Sequence, residues 1–462
     1  MHIDKFLIAE NATLREALSR IELNHHGMIM SVDKIGRVTG LATDGDIRRE
    51  LLAGRTLDDM ISSCINSQFL FEDPATPRES LLKKLDHRIH VIPLLDTDRR
   101  LVGVVSRDHL PVRAEEAIFA RARAPVRISF GGGGSDLTHF FSGQDGAVIT
   151  TTISLYSHAT LHVRDDEKVN IHSMDLKETL HADSLKHALE KKDRFGLIKA
   201  LLRIVQPDFG FDLYLHSDFP MNSGLGGSAV VSAAVLGCFN QFRLDQWNPH
   251  ELAELAFQAE RLYLGVAGGW QDQYATIFGG FNFIEFRMEQ NIVHPLRIHH
   301  DILLELEESL ILCDTGTTHD SGNIHEDQRR QMEDHSSRKH VSTNVALSYQ
   351  IRNQLLRGNL LDFGHSLHDA WQFKRQFSSK ISTDHLDRIY EEALAHGAVG
   401  GKLLGAGGGG FFLFYVPQFK KHELMQHLDA SKVQVRPFRF EQEGLRAWTV
   451  RERKNHMELE RK

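Results

Sequence analysis

The chain has 462 residues, a formal net charge of −8, and 25% charged and 41% hydrophobic residues. This is the composition of a globular protein with room for two to four domains, and its acidic balance argues against a dedicated nucleic-acid binder. No apolar run reaches the ~20 residues of a membrane span, no signal-peptide core opens the chain, and Cys64, Cys238 and Cys313 lack zinc-ligand spacing, so a cytoplasmic protein without a membrane partner is expected.

Residues 1–115 contain an internal repeat. Thr13-Leu14-Arg15-Glu16 and Thr76-Pro77-Arg78-Glu79 read as capping boxes, the second with proline at the first helical position. Gly40-Leu41-Ala42-Thr43 and Gly103-Val104-Val105-Ser106 close the two units, and both matched pairs share one offset of 63 residues (13 to 76, 40 to 103). Each unit reads as helix, short strand (28–32 and 91–95), turn, short strand, helix. The stretch resembles a tandem CBS-domain pair. That resemblance implies an adenine-nucleotide site in which a hydroxyl and the carboxylate three residues later take part. Thr43 and Asp46 fit those positions; in the second unit Ser106 fits, but His109 stands where the acid should be. Regulation by an adenine nucleotide and homodimerisation are expected partners of such a pair.

Residues 111–122 read as a helical linker, with 116–122 as the joint to a larger unit divided at about 300 into halves 123–300 and 301–450. A polar tail, 451–462, is expected to fray. In the first half Val126, Ile128 and Phe130 alternate with Arg127 and Ser129, a half-buried strand that stops at Gly131–Gly134. Strands are expected at 147–156, 159–163 and 211–215, and helices at 228–239 and 249–262, the latter capped by Asn248. Strands at 310–313 and 410–415 and helices at 344–356 and 383–396 follow. Without a steady βαβ rhythm, the class reads as α+β. The 28 histidines are scattered and read as surface or core residues.

Asn222-Ser223-Gly224-Leu225-Gly226-Gly227-Ser228 is a small, glycine-rich run that opens an apolar helix. Bare N–H groups at a helix N-terminus make a phosphate seat, and glycines let the backbone approach anionic oxygens. The run also matches G-x-G-x-x-A, but the context lacks the strand entry and later acid of a dinucleotide fold, and the lysine-bearing P-loop signature is absent. Ser228 at the loop mouth suits magnesium, a hard cation preferring oxygen. Glu260 and Asp272, twelve residues apart across a glycine-bearing loop, can converge, one on the metal and the other on an acceptor hydroxyl. Asp136, after the glycine run and Ser135, suits a polyol, and Arg127 can reach the same cleft.

Three segments together resemble the GHMP kinase superfamily: Ala124–Leu137, the loop at 222–229, and Gly400-Gly401-Lys402-Leu403-Leu404-Gly405-Ala406-Gly407-Gly408-Gly409-Gly410-Phe411. Gly227 replaces the family's usual first serine, leaving Ser228 as the magnesium-side hydroxyl. The details, including Asp314-Thr315-Gly316 with Ser321 and Trp371 with Lys374, look most like the heptose 7-phosphate kinases of that superfamily. The resemblance implies an S5-like N-terminal half, a ferredoxin-like C-terminal half, and ATP- and Mg2+-dependent phosphorylation of a sugar phosphate at its anomeric hydroxyl. It puts the general base on Asp272, the metal acid on Glu260, and nucleotide binding on 222–228. Sugar contacts fall on Arg127, Gly134, Ser135, Asp136, Lys402, Gly407 and Gly408. Lys402, Lys374 and Arg375 are candidates for holding a substrate phosphate. An L-fucokinase-type enzyme and a non-catalytic adenylate sensor are the alternatives.

Overall fold

The computed structural model describes all of the chain except residues 1–2, 86–88, 107–115, 222, 318–334, 379, 432 and 454–462. Its contacts divide into two units, Met1–Glu115 and Glu116–Lys462.

In the first unit the repeat becomes a pair of hairpins in one register. Strands β2 (Met28–Val32) and β3 (Val38–Thr43) pair antiparallel, and β1 (Leu7–Ala9) adds parallel to β2. The second repeat gives β4 (Val91–Leu95) and β5 (Leu101–Ser106), shifted by the same 63 residues. Buried Met28, Met30 and Val38 pack with Leu95, Leu101 and Val104, so the two halves share a core. Thr13 forms its capping box with Glu16 at the start of α1 (Leu14–Asn24). The second expected box does not form: Pro77 itself precedes α3 (Arg78–Lys84), and the Thr76 hydroxyl donates to Glu72 instead. Thr43 and Asp46 cap α2 (Asp44–Leu52) reciprocally. His109 lies outside the described residues.

The second unit begins with β6 (Glu116–Gly131), not with a helical linker. Ala120, Ala122 and Ala124 are buried, alternating with Phe119, Arg121 and Arg123; this period of two fits a strand and not a helix. β6 pairs with β7 (Gly146–Val163), which merges two expected strands, and with β18 (Arg446–Arg453). Residues 451–453 of the expected fraying tail are therefore laddered. Next to β7 lie β10 (Phe211–Ser217), β8 (Val169–Ser173) and β9 (Glu178–Ala182) along one stretch, and β11 (Asn282–Phe286) with β12 (Asn291–Pro295) along the other. The inner face is closed by α7 (Gly227–Asn240), whose side chains from Ala233 to Phe239 are all buried. Around it pack α6 (Gly196–Val205), α8 (Pro249–Gln258) and α9 (Gln271–Phe278). Asn248 caps α8 with Glu251, and the helix ends in a π-helical turn, Ala259–Tyr263, carrying Glu260.

The C-terminal half is an antiparallel sheet in the order β14 (Gly400–Leu403), β15 (Phe411–Tyr415), β13 (Leu310–Asp314), β16 (Gln434–Arg436). Helices His335–Arg357, Leu360–Arg375, Asp384–Ala395 and Gln418–Ala430 accompany it. Trp371, fully buried against Phe412 and Tyr390, anchors the second of these helices to the sheet. Among the described residues no helix is long and apolar enough to cross a membrane.

Candidate active site

The candidate phosphate loop is built as its sequence demands. Gly224 and Gly226 adopt φ of 76° and 78°, a left-handed backbone that side chains disfavour. Gly226 is the N-cap of α7, so the first N–H groups of a long buried helix open at the loop. The loop lines a cleft of about 450 Å3. Ser223, Gly224, Gly226, Gly227 and Ser228 reach the cleft; Leu225 is fully buried beneath it, and Asn222 lies outside the described residues.

Two carboxylates face this loop. Asp272, in the first turn of α9, lies so close to Gly226 that a Cβ there would sit 3.1 Å from its Oδ2. Arg127, on β6, holds both of its oxygens, Nε to Oδ1 at 2.7 Å and Nη2 to Oδ2 at 2.8 Å, and donates to the carbonyl of Gly224 at 2.8 Å. One guanidinium thus joins the strand, the loop and the acid. Asp136 accepts from the N–H groups of Gly134 (3.1 Å) and Gln271 (3.2 Å). Burial, reinforced by the nearby charge of Asp272, pushes its carboxyl above the usual range.

Glu260 and Ser228 meet on the other side of the loop mouth, Ser228 Oγ donating to Glu260 Oε2 at 2.7 Å. Gln273 donates to the other oxygen at 3.1 Å, while its own amide oxygen is buried with no hydrogen-bond partner. Burial raises the Glu260 carboxyl above its ordinary pKa despite the Arg261 guanidinium beside it. A buried acid and a hydroxyl in contact at the loop mouth are hard oxygen donors, which is the chemistry a magnesium ion prefers.

From the C-terminal half comes a group of cations. Lys402, on β14, is 5% exposed and reaches the cleft. Burial and the charge of Arg127 draw its pKa down to about 7. Lys374 also lines the cleft and donates to the carbonyls of Leu403 and Gly405; burial, then Lys402 and Arg127, hold it well below the ordinary lysine range. Arg375 pairs with Asp387 at 2.8 Å and does not line the cleft.

Besides Arg375, five expected site residues among those described are absent from the cleft lining: Glu260, which is buried behind Ser228, and Leu225, Ser135, Gly407 and Gly408. Ser135 turns inward, its hydroxyl donating to the carbonyl of Gly132 at 2.7 Å. Gly407 and Gly408 pack on Ile381, whose carbonyl accepts from Gly408 N at 2.8 Å. Ser321 lies outside the described residues. The cleft also contains residues that no motif announced: an apolar wall including Leu176, Phe195, Ile198, Leu215 and Phe219, with Asp175 accepting from Ser217 nearby. They come from three separated segments, so local pattern gives no sign of their convergence.

Residues 193–280 match the model described as GHMP kinases N terminal domain, 351–427 the GHMP kinases C terminal model, and 1–53 and 61–110 the CBS domain. D-glycero-alpha-D-manno-heptose 7-phosphate kinase from Campylobacter jejuni is 34% identical over 336 residues, 71% of this chain and 99% of that protein.

The chain belongs to the GHMP kinase family.

Two further relatives mark its place among these kinases. A bifunctional fucokinase/GDP-fucose pyrophosphorylase from Arabidopsis thaliana is 27% identical over 349 residues, 70% of this chain and 32% of that one. The crystal structure of a D-glycero-D-manno-heptose 1-phosphate kinase from Bacteroides thetaiotaomicron aligns with a TM-score of 0.60 at 27% identity, over 72% of this chain and 99% of its own. The protein is accordingly a sugar kinase, a phosphotransferase with an alcohol group as acceptor and ATP as donor, with CBS domains at its N-terminus.

Proposed function

We propose that the protein transfers the γ-phosphoryl group of ATP to the anomeric hydroxyl of D-glycero-D-manno-heptose 7-phosphate, giving the 1,7-bisphosphate for nucleotide-activated heptose synthesis. The observation that carries this reading is the contact between Asp272 and Gly226: the candidate acid stands against the candidate phosphate loop. An acceptor hydroxyl beside Asp272 is then in line with a phosphoryl group seated on the N-terminus of α7. Its oxygen attacks phosphorus, the bond to the β-phosphate oxygen breaks, ADP leaves, and the hydroxyl proton passes toward the Asp272 carboxylate. Arg127 fixes the plane of that carboxylate. Asp136, with lone pairs beyond those used by Gly134 and Gln271, accepts hydrogen bonds from sugar hydroxyls. The apolar wall around Leu176 and Phe195 suits an adenine ring.

Ser228 and Glu260 would hold the magnesium ion. When bound, such an ion neutralises phosphate charge as the phosphoryl group moves. Lys402 favours a phosphorylated sugar over a neutral one: it is nearly buried, faces the cleft, and its ammonium has no hydrogen-bond or ion-pair partner among the described residues. Thr43 and Asp46 remain the residues proposed for a regulatory adenine nucleotide in the CBS pair, with the protein working as a cytoplasmic homodimer.

The fucokinase relative supports a second reading, an L-fucokinase-type enzyme acting on a free sugar. ADP release measured side by side with heptose 7-phosphate, L-fucose and galactose separates the two. Turnover with heptose 7-phosphate far above the free sugars is expected; preference for fucose would transfer the assignment, and no ADP release with any of them would leave the non-catalytic sensor.

A further inference from the structure

On the outer face of the large sheet, away from the cleft lining, two histidines and an aspartate converge. His158 of β7 and His216 of β10 are directly opposite in the antiparallel ladder, and their rings stack at 4.5 Å with planes 6° apart. Asp218, two residues after His216, accepts from the Tyr156 N–H at 3.0 Å, and its own N–H donates to the Tyr156 carbonyl at 2.9 Å. The strand pairing itself therefore holds the carboxylate in place. One ligand atom from each of the three lies within 4.8 Å of the others.

We propose that His158, His216 and Asp218 form a binding site for a divalent transition-metal ion of the zinc class. The separation of His158 Nε2 from Asp218 Oδ2 is 3.4 Å. That is long for a charge-assisted hydrogen bond, which closes to about 2.7–2.9 Å. It fits two ligands of one tetrahedral ion, whose bonds of about 2.0–2.1 Å put neighbouring ligand atoms about 3.3–3.4 Å apart. Two imidazoles and one carboxylate select zinc, cobalt or nickel over magnesium, which takes oxygen. The exposure of His216 and Asp218 leaves room for water at the remaining position. Across the ladder from His158, on β6, stands Arg123, whose guanidinium is turned over the Tyr156 ring at 5.0 Å.

The location gives the ion a structural consequence. Asp218 heads the segment that runs from β10 into the phosphate loop. The next residue, Phe219, is buried, and its ring lies 3.1 Å from where a Cβ on Gly227 would sit. An ion bridging β7, β10 and Asp218 clips the root of that segment to the sheet. This site stands independently of the substrate assignment.

The test is a Co2+ titration of the full-length protein in chelator-treated, nucleotide-free buffer, read by visible d–d absorption and by Zn2+ displacement. Its comparison is the double variant His158→Ala/His216→Ala. One equivalent of Zn2+-displaceable Co2+ above the double variant is expected, with affinity at least tenfold weaker in Asp218→Asn. Thermal melting in metal-free buffer checks that the variants fold, and Zn2+ is expected to raise the melting temperature of the native protein only. A Co2+ spectrum and stoichiometry identical in native and double-variant protein, or no spectrum in either, overturns the site.

Discussion

Arg127 grips both oxygens of Asp272 from 145 positions away in the chain, at 2.7 and 2.8 Å, with its side chain only 3% exposed. A planar guanidinium matches a carboxylate in this two-point geometry and a lysine does not. The carboxylate is thereby fixed in rotation, and its place beside Gly226 does not depend on a mobile side chain.

Asp272→Asn is expected to fold and to bind ATP while losing about 10²–10⁴-fold in turnover, the scale of acid–base assistance. The amide nitrogen also opposes Arg127, so Arg127→Lys, which keeps charge but loses the fork, is expected to lower kcat too. ADP-release kinetics beside nucleotide titration check both; undiminished turnover in Asp272→Asn would remove that residue from the chemistry.

Gly269 has no room for a side chain. A Cβ there would sit 1.8 Å from Asp136 Oδ2. Gly269→Ala is expected to displace that carboxylate and raise KM for the sugar phosphate at least tenfold while leaving KM for ATP nearly unchanged. Equal rises in both constants would show that Asp136 does not act on the sugar side alone.

Lys402 carries a pH signature. Its pKa is drawn down to about 7 by burial and by Arg127. Its charge in the free enzyme is therefore lost as pH rises through about 7, and kcat/KM for a sugar phosphate is expected to fall over that range. Lys402→Met lacks this limb and discriminates less between phosphorylated and free sugars. The stability effect runs the other way. A depressed folded pKa contributes stability that is present above the ordinary lysine value of about 10.4 and lost as pH falls through about 7. Lys402→Met should thus raise the melting temperature more at pH 6 than at pH 10, and the reverse order would contradict the assigned burial.

Glu260→Gln keeps the shape beside Ser228 and removes a charge. The expected result is a higher Mg2+ concentration for half-maximal rate, with near-native turnover recovered at saturating metal. An unchanged Mg2+ dependence would move the metal elsewhere.

The sequence announced what is local. The repeat register, the Asn248 cap and the glycine conformations at 224 and 226 each depend on neighbours a few residues away, and the structure has them where the pattern put them. The errors have equally local causes. Alternating alanine and arginine at 120–124 is a strand on one side of which only small residues fit beneath α7, but composition alone suggested a helix. The family resemblance puts a sugar contact on Ser135, yet its hydroxyl closes a turn onto Gly132. Asp136, Arg127 and Asp272 were legible as types; their assembly, and the cationic group completed by Lys402 and Lys374, required strands to pair over a hundred positions or more. The apolar wall of the cleft had no motif to betray it.

Where the two glycine runs touch, Gly405 and Gly224 leave each other no slack: a Cβ on the former would fall 2.5 Å from the Cα of the latter. The glycine-rich loop of one half is therefore keyed into the other half through bare backbone. A graft that exchanges either half for that of a distant kinase must carry both runs across together, because the seam tolerates no mismatched step.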